Sequence, residues 1–135
     1  MSAASALQKA IYERLGGDPA LTALVGPEGV TDRLADKPHL PLVVIRTIES
    51  TDRSTSTEDG EEHLVTLEVW SEGAGNREAQ VIAGRLRALL HDAQVTLEGH
   101  HLVSLFHRRT VTGREGKSRY HRAEMRFRAM TEAAG

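Results

Sequence analysis

Cysteine is absent from all 135 residues. No disulfide, thiolate metal ligand or thiol nucleophile is therefore available, which fits a reducing compartment or assembly inside a cell. No apolar run approaches the roughly 20 residues that cross a bilayer. The opening MSAASALQKAIYERL lacks the basic start and continuous apolar stretch of a signal peptide. A soluble, non-exported protein with no membrane association is the expectation. Net charge is also close to nil: 17 basic against 19 acidic residues give −2. Such a balance supplies no whole-molecule attraction to nucleic acid.

Catalytic signatures are missing too. The serines at Ser50, Ser54, Ser56, Ser71, Ser104 and Ser118 never fall in a GxSxG elbow. SEGAGN precedes a helical stretch but has neither the Walker lysine nor dinucleotide spacing, so a strand-to-helix turn explains it. The seven histidines show no HxxxH or HExxH spacing, whereas zinc needs about four placed ligands, or three and a water. His100 and His101 would point to opposite faces of a strand. His107 and His121 lie on what read as facing strands and could approach each other. The acids of Glu58 to Glu62 sit in a polar segment with nothing to desolvate them, unlike a tuned general acid or base. The reading is of a non-enzyme with no catalytic residue, cofactor or metal site.

What is present is a core. Hydrophobic residues make up 39% of the chain, enough for one domain of this size. Ala4, Leu7, Ile11 and Leu15 recur at helical spacing, and Gly16-Gly17 ends that helix. In DPALTALVG, Asp18 caps, Pro19 fits the first turn, Gly26 closes, and Leu21, Leu24 and Val25 supply the buried side. The stretch from Pro27 to Pro41 reads as irregular. LVVIRTIES is a β-branched strand, and HLVTLEVWS alternates as a second. Asn76 then caps the strongest helix, whose apolar stripe is Ala79, Ile82, Ala83, Leu86, Leu89 and Leu90. HLVSLFHRRTV and RYHRAEMRFRAM flank the turn TGREGKS as a hairpin. Together these predict one α+β domain over residues 1–135, mainly an antiparallel sheet of about four strands. Two or three helices pack on one face of it.

One stretch resists that scheme. ESTDRSTSTEDGEEH, from Glu49 to His63, joins two strands yet has no apolar residue to anchor it. It is either a disordered insertion or a strand extension and hairpin that orders against something else. Its Arg53, Glu58, Asp59, Glu61 and Glu62 are candidate contacts. A second candidate is a basic stripe of Arg122, Arg126 and Arg128, with Arg108 on the neighbouring strand. That stripe reads either as a solvated sheet face interleaved with Glu68 and Glu124, or as an interface or a surface lining a passage for nucleic-acid phosphates. Trp70, outside the aliphatic face, is a packing anchor or an interface hot spot. No helix-turn-helix is apparent, which argues against sequence-specific DNA binding.

The order of these elements resembles the tail-completion family of long-tailed phages and phage-like gene transfer particles, the tail terminators or head–tail joining proteins. The resemblance runs from ALQKAIYERLGGDPALTALVG through LPLVVIRTIES and LEGHHLVSLF to the closing F-R-A-M-T-E. It includes the T-x-x-G-x-E-H that precedes the central strand. It implies a structural protein: a homo-oligomeric ring, typically hexameric, at the head-proximal end of the tail tube. Such a ring stops tube growth and meets the tail tube protein on one side and the head connector or stopper on the other. DNA passes through the lumen without sequence-specific binding. The place implied is the head–tail junction of a virion, with assembly in the host cytoplasm. The alternative from the residues alone is a small nucleic-acid-binding or adaptor domain using the arginine face.

Overall fold

The stripe from Ala79 to Leu90 becomes a helix because every one of its apolar side chains finds a covered position. A 14-residue helix is marginal alone in water, so packing stabilises it rather than propensity. The structure, a computed structural model, describes residues 1–73 and 75–134. Along the chain run α1 (Ala3–Gly16), α2 (Pro19–Val25), β1 (Val30–Thr31), β2 (Leu42–Asp52), β3 (Gly60–Ser71), α3 (Arg77–Leu90), β4 (His100–Arg114) and β5 (His121–Ala133). The sheet order is β1-β2-β3-β5-β4. β1 lies parallel to β2, and every other neighbour is antiparallel. The fold is α+β, as the periodicities predict, but the sheet has five strands rather than four. The additional strand lies in the stretch read as irregular.

All the helices lie on one face. Leu7, Ile11 and Leu15 of α1 and Ile82, Leu86 and Leu90 of α3 are buried against Val43, Ile45, Val65, Leu67, Met125 and Phe127. Each fully buried side chain of this size contributes about 1.5–3 kcal/mol. In α2 only Leu21 is fully buried. Leu24, expected on the buried side, is 40% exposed, because this two-turn helix touches its neighbours along one line. Gly29 closes in on it so tightly that a Cβ there would stand 2.2 Å from the Val25 carbonyl oxygen. No side chain fits.

Capping follows the sequence at one helix and departs from it at another. Asp18 accepts the Leu21 N–H through Oδ2 at 2.9 Å. The same carboxylate accepts Arg85 Nε at 2.8 Å and Nη2 at 2.6 Å, pinning the start of α2 to α3. The Arg85 hydrogen bond is the main cause holding the Asp18 carboxyl below the usual carboxylate range, with burial opposing it and the Leu21 N–H assisting. Asn76 makes no side-chain cap to α3. Its Oδ1 instead bonds His121 Nδ1 at 2.8 Å, tying the helix entrance to β5. His107 and His121 do not meet: His107 pairs across the sheet with Phe127 and His121 with Arg114.

The polar segment from Glu49 to His63 is a hairpin, not a disordered insertion. β2 and β3 stay paired out to Asp52 and Glu61. Side chains build the turn: Asp52 Oδ1 accepts the Ser54 N–H at 2.9 Å and its hydroxyl at 2.6 Å, and Ser54 Oγ accepts the Gly60 N–H at 3.2 Å. At its base His63 is fully buried. Its Nδ1 bonds Ser50 Oγ at 2.7 Å and its Nε2 bonds Thr131 Oγ1 at 2.9 Å, so one imidazole links β2, β3 and β5. Both hydroxyls can donate or accept, so the neutral ring is satisfied in either tautomer.

Two predictions follow from these anchors. Asp18→Ala removes both cap and ion pair and should lower the melting midpoint by about 5 °C. An unchanged midpoint by circular dichroism would count against the link between α2 and α3. The His63 imidazole is held below its ordinary value chiefly by burial, with Glu61 opposing and His100 reinforcing. The folded chain therefore takes up this proton less readily than the unfolded chain. The stabilisation is complete above about pH 6.5 and is lost as pH falls through the lower folded value. Between about pH 7.5 and about pH 5.5, His63→Gln should lose less stability in urea titrations than the parent. Equal losses would show that His63 does not carry this dependence.

Candidate functional site

β5 alternates Ala123, Met125, Phe127 and Ala129 toward the helices with Arg122, Glu124, Arg126 and Arg128 on the other side. β3 alternates in step: Val65, Leu67 and Val69 face the helices, while Glu62, Leu64, Thr66, Glu68 and Trp70 share the arginine side. Among the described residues no helix covers that second face.

At one end the face is a closed network. Glu68 is only 6% exposed, although its Cα partner is another acid, Glu124. Arg122 Nη1 donates to Glu68 Oε2 at 3.1 Å and Trp70 Nε1 donates to Oε1 at 3.2 Å, so both oxygens are engaged. Arg122 also reaches Glu115 at 3.2 Å and lies 5.8 Å from the Trp70 ring centre. Trp70 in turn meets Tyr120 edge-on at 6.3 Å. Trp70 is half-buried, with its N–H bonded inside the chain.

At the other end, Arg128 donates to Glu62 Oε2 from Nε at 2.9 Å and from Nη2 at 2.6 Å. The Arg128 hydrogen bond is the main reason the Glu62 carboxyl lies below its ordinary range. Burial opposes it, and the charges of Arg128 and of the Arg53 guanidinium, 4.0 Å away, add to the lowering. Thus one expected acid and one expected base pair with each other within the chain. Glu61 also belongs to β3, half-buried, whereas Glu58 and Asp59 are exposed at the turn. The Asp59 carbonyl accepts the Ala133 N–H at 3.2 Å.

The middle of the face is open. Arg126 makes only an exposed contact to Glu124 at 3.2 Å, and Arg108 and Arg109 have no carboxylate within 4 Å among the described residues. A bulge between His107 and Arg109 re-aims β4 here. As a result Arg109 pairs with Arg126 while Arg108 lines the same groove. That groove, about 380 Å³, is bounded by Glu49, Leu64, Arg108, Arg126 and Arg128. Leu64 in the groove is 44% exposed, and on the same sheet face Phe106, whose ring lies 5.7 Å from that of His91, is 41% and Val111 48% exposed. These three apolar residues carried no sequence signal, since each looks like an ordinary member of an alternating strand. Unpaired guanidinium groups beside exposed apolar side chains suit contact with an acidic, partly apolar partner. Among the described residues no group of three or more His, Asp or Glu side chains could hold a metal ion.

Comparison with known proteins fits this architecture. The family model of tail completion protein gp17 matches residues 9–132. A chain from the virion of a native gene transfer agent particle is similar in structure, with a TM-score of 0.89 and 31% identity over 98% of each chain. No curated protein matches the chain in sequence. The chain therefore belongs to the tail completion protein gp17 family, and its role is a structural one in the assembly of a phage tail.

Proposed function

We propose that this chain forms a homo-oligomeric ring, hexameric as is typical of such proteins, at the head-proximal end of the tail tube. The ring ends tube polymerisation and presents a surface to the head connector or stopper, while DNA passes through its centre. It stands at the head–tail junction of a virion or phage-like particle and is put together in the host cytoplasm. The observation that carries this reading is the similarity, end to end, to a chain of a gene transfer agent virion. The uncovered sheet face adds to it, because such a face is a means of association rather than of chemistry.

The arginine groove and the acidic turn are complementary. Glu58 and Asp59 of one subunit meet Arg108 and Arg126 of the next, a heterologous contact that closes when the rotation permits. Use of the same arginines for nucleic-acid phosphates is the weaker reading, since Arg122 and Arg128 are already held by Glu68 and Glu62.

Particles made without this chain should carry tails of uneven length and heads that remain unjoined. Uniform, joined tails would overturn the reading. A double reversal, Arg108→Glu with Arg126→Glu, should leave the melting midpoint near that of the parent. Ring formation on tail tubes, scored by negative-stain microscopy, should fall at least about tenfold. Arg128→Glu should instead lower the melting midpoint, because it leaves Glu62 beside a like charge. Undiminished ring formation by the double variant would remove the groove from the interface.

A further inference from the structure

The two edges of the sheet are each half covered. On the β2 edge, β1 pairs only with Val43 and Val44, and the Val43 N–H is bonded to the Gly29 carbonyl at 2.7 Å. From Arg46 to Asp52 nothing among the described residues pairs with that edge, and Arg46, Thr47, Glu49, Ser50, Thr51 and Asp52 are exposed. On the β4 edge, the chain leaving α3 covers the first half. Asp92 N–H donates to the Leu105 carbonyl at 2.7 Å, and His91 Nδ1 accepts the His107 N–H at 2.9 Å. Beyond the bulge, from Arg109 to Arg114, no described residue pairs with the edge, which is largely exposed.

The registers place the bare halves at opposite corners. Asp52 and Glu61 mark one end of the sheet, where β4 begins at His100 opposite Ala133. Leu42 and Trp70 mark the other end, where β4 finishes at Arg114 opposite His121. The free half of β2 is therefore at the end where β4 is covered, and the free half of β4 is at the end where β2 is covered. A bare edge presents unpaired backbone donors and acceptors and is a template for another strand. Neither half carries proline.

We propose that these two half-edges pair with each other between successive copies of the chain, as a staggered antiparallel β seam. The proposal rests on the ring reading above and specifies its contact. β2 and β4 run in opposite directions within the sheet, so copies in the same orientation bring them together antiparallel. Because the two edges differ, the contact is head-to-tail and cannot stop at a two-fold dimer. Charge agrees with that direction. Antiparallel pairing brings Asp52 and the acidic turn of one copy toward Arg108 and Arg109 of its neighbour. At the far end Arg46 approaches Arg114, whose guanidinium is turned back onto the carbonyls of Lys117 and Ser118. The seam would join the sheets of all copies and set every arginine groove on the same side of the ring.

The cysteine-free chain permits a clean test. Thr47, Glu49, Thr51 and Val111 point to the uncovered face, as their partners Thr66, Leu64, Glu62 and Glu124 do. Val111→Cys is combined in turn with Thr47→Cys, Glu49→Cys or Thr51→Cys in the full chain, which samples the register. Rings assembled on tail tubes are then oxidised. Cross-strand pairs lie within disulfide reach. At least one double variant should give a ladder of covalent multimers on non-reducing gels, while each single variant stays uncrosslinked. Rings visible by microscopy with no ladder in any double variant would overturn the seam and leave the ring standing. Ladders or dimers from single variants would indicate a two-fold contact and overturn it as well. Rings absent from every preparation, tube-bound included, would overturn the ring reading and the seam together.

Discussion

The ladder between β3 and β5 is the constraint on which the rest of the molecule depends. Every residue from Gly60 to Ser71 finds a partner from Glu132 back to His121 without a register shift. In such a ladder one slip would exchange the two faces of the sheet. Because it does not slip, Val65, Leu67, Met125 and Phe127 all meet the helices, and Arg122, Arg126 and Arg128 fall on the other side. Arg128 then stands within reach of Glu62, and Arg122 within reach of Glu68. A carboxylate as buried as that of Glu68 is tolerable only with both oxygens bonded, and losing Arg122 would leave an uncompensated charge. The apolar face drives folding, whereas the ion pairs keep the second face from needing a cover of its own.

Those pairings also divide the second face into closed ends and an open middle. The ends are closed by internal contacts, at Glu62 and at Glu68 with Trp70. The middle, with Arg108, Arg126, Leu64, Phe106 and Val111, is held only by the exposed Arg126–Glu124 contact and the Phe106–His91 ring contact among the described residues. The same division appears along the edges, where β1 and the segment after α3 shield one half each and leave the other bare. A subunit that meets copies of itself, as proposed for this chain, needs surfaces of this kind. It must fold alone, hold its charges in place, and keep a defined part of its backbone and side chains unsatisfied until assembly.

Much of this was legible in the residues because the signals were local. The stripe of α3, the cap at Asp18, the alternation of β3 and β5 and the separation of greasy and charged faces all follow from spacing. What was not legible depended on register. β1 is two residues long and exists only because Gly29 delivers Val30 alongside Val43, so no periodicity could mark it. The pairing of Glu62 with Arg128 needs the β3–β5 alignment, and no spacing within either strand discloses it. Arg109 joins Arg126 only because a bulge at Arg108 breaks the alternation. The hairpin from Glu49 to His63 lacks apolar anchors, yet it is held by polar ones. His63 is buried between two hydroxyls, and a hydrophobicity pattern does not register that arrangement.

The most direct test of the central claim, that the uncovered face is the working surface, is hydroxyl-radical footprinting of the isolated chain against assembled particles. The account predicts that Leu64, Phe106 and Val111 are readily labelled in the free chain and strongly protected in the particle. Equal labelling of these three side chains in both states would contradict it.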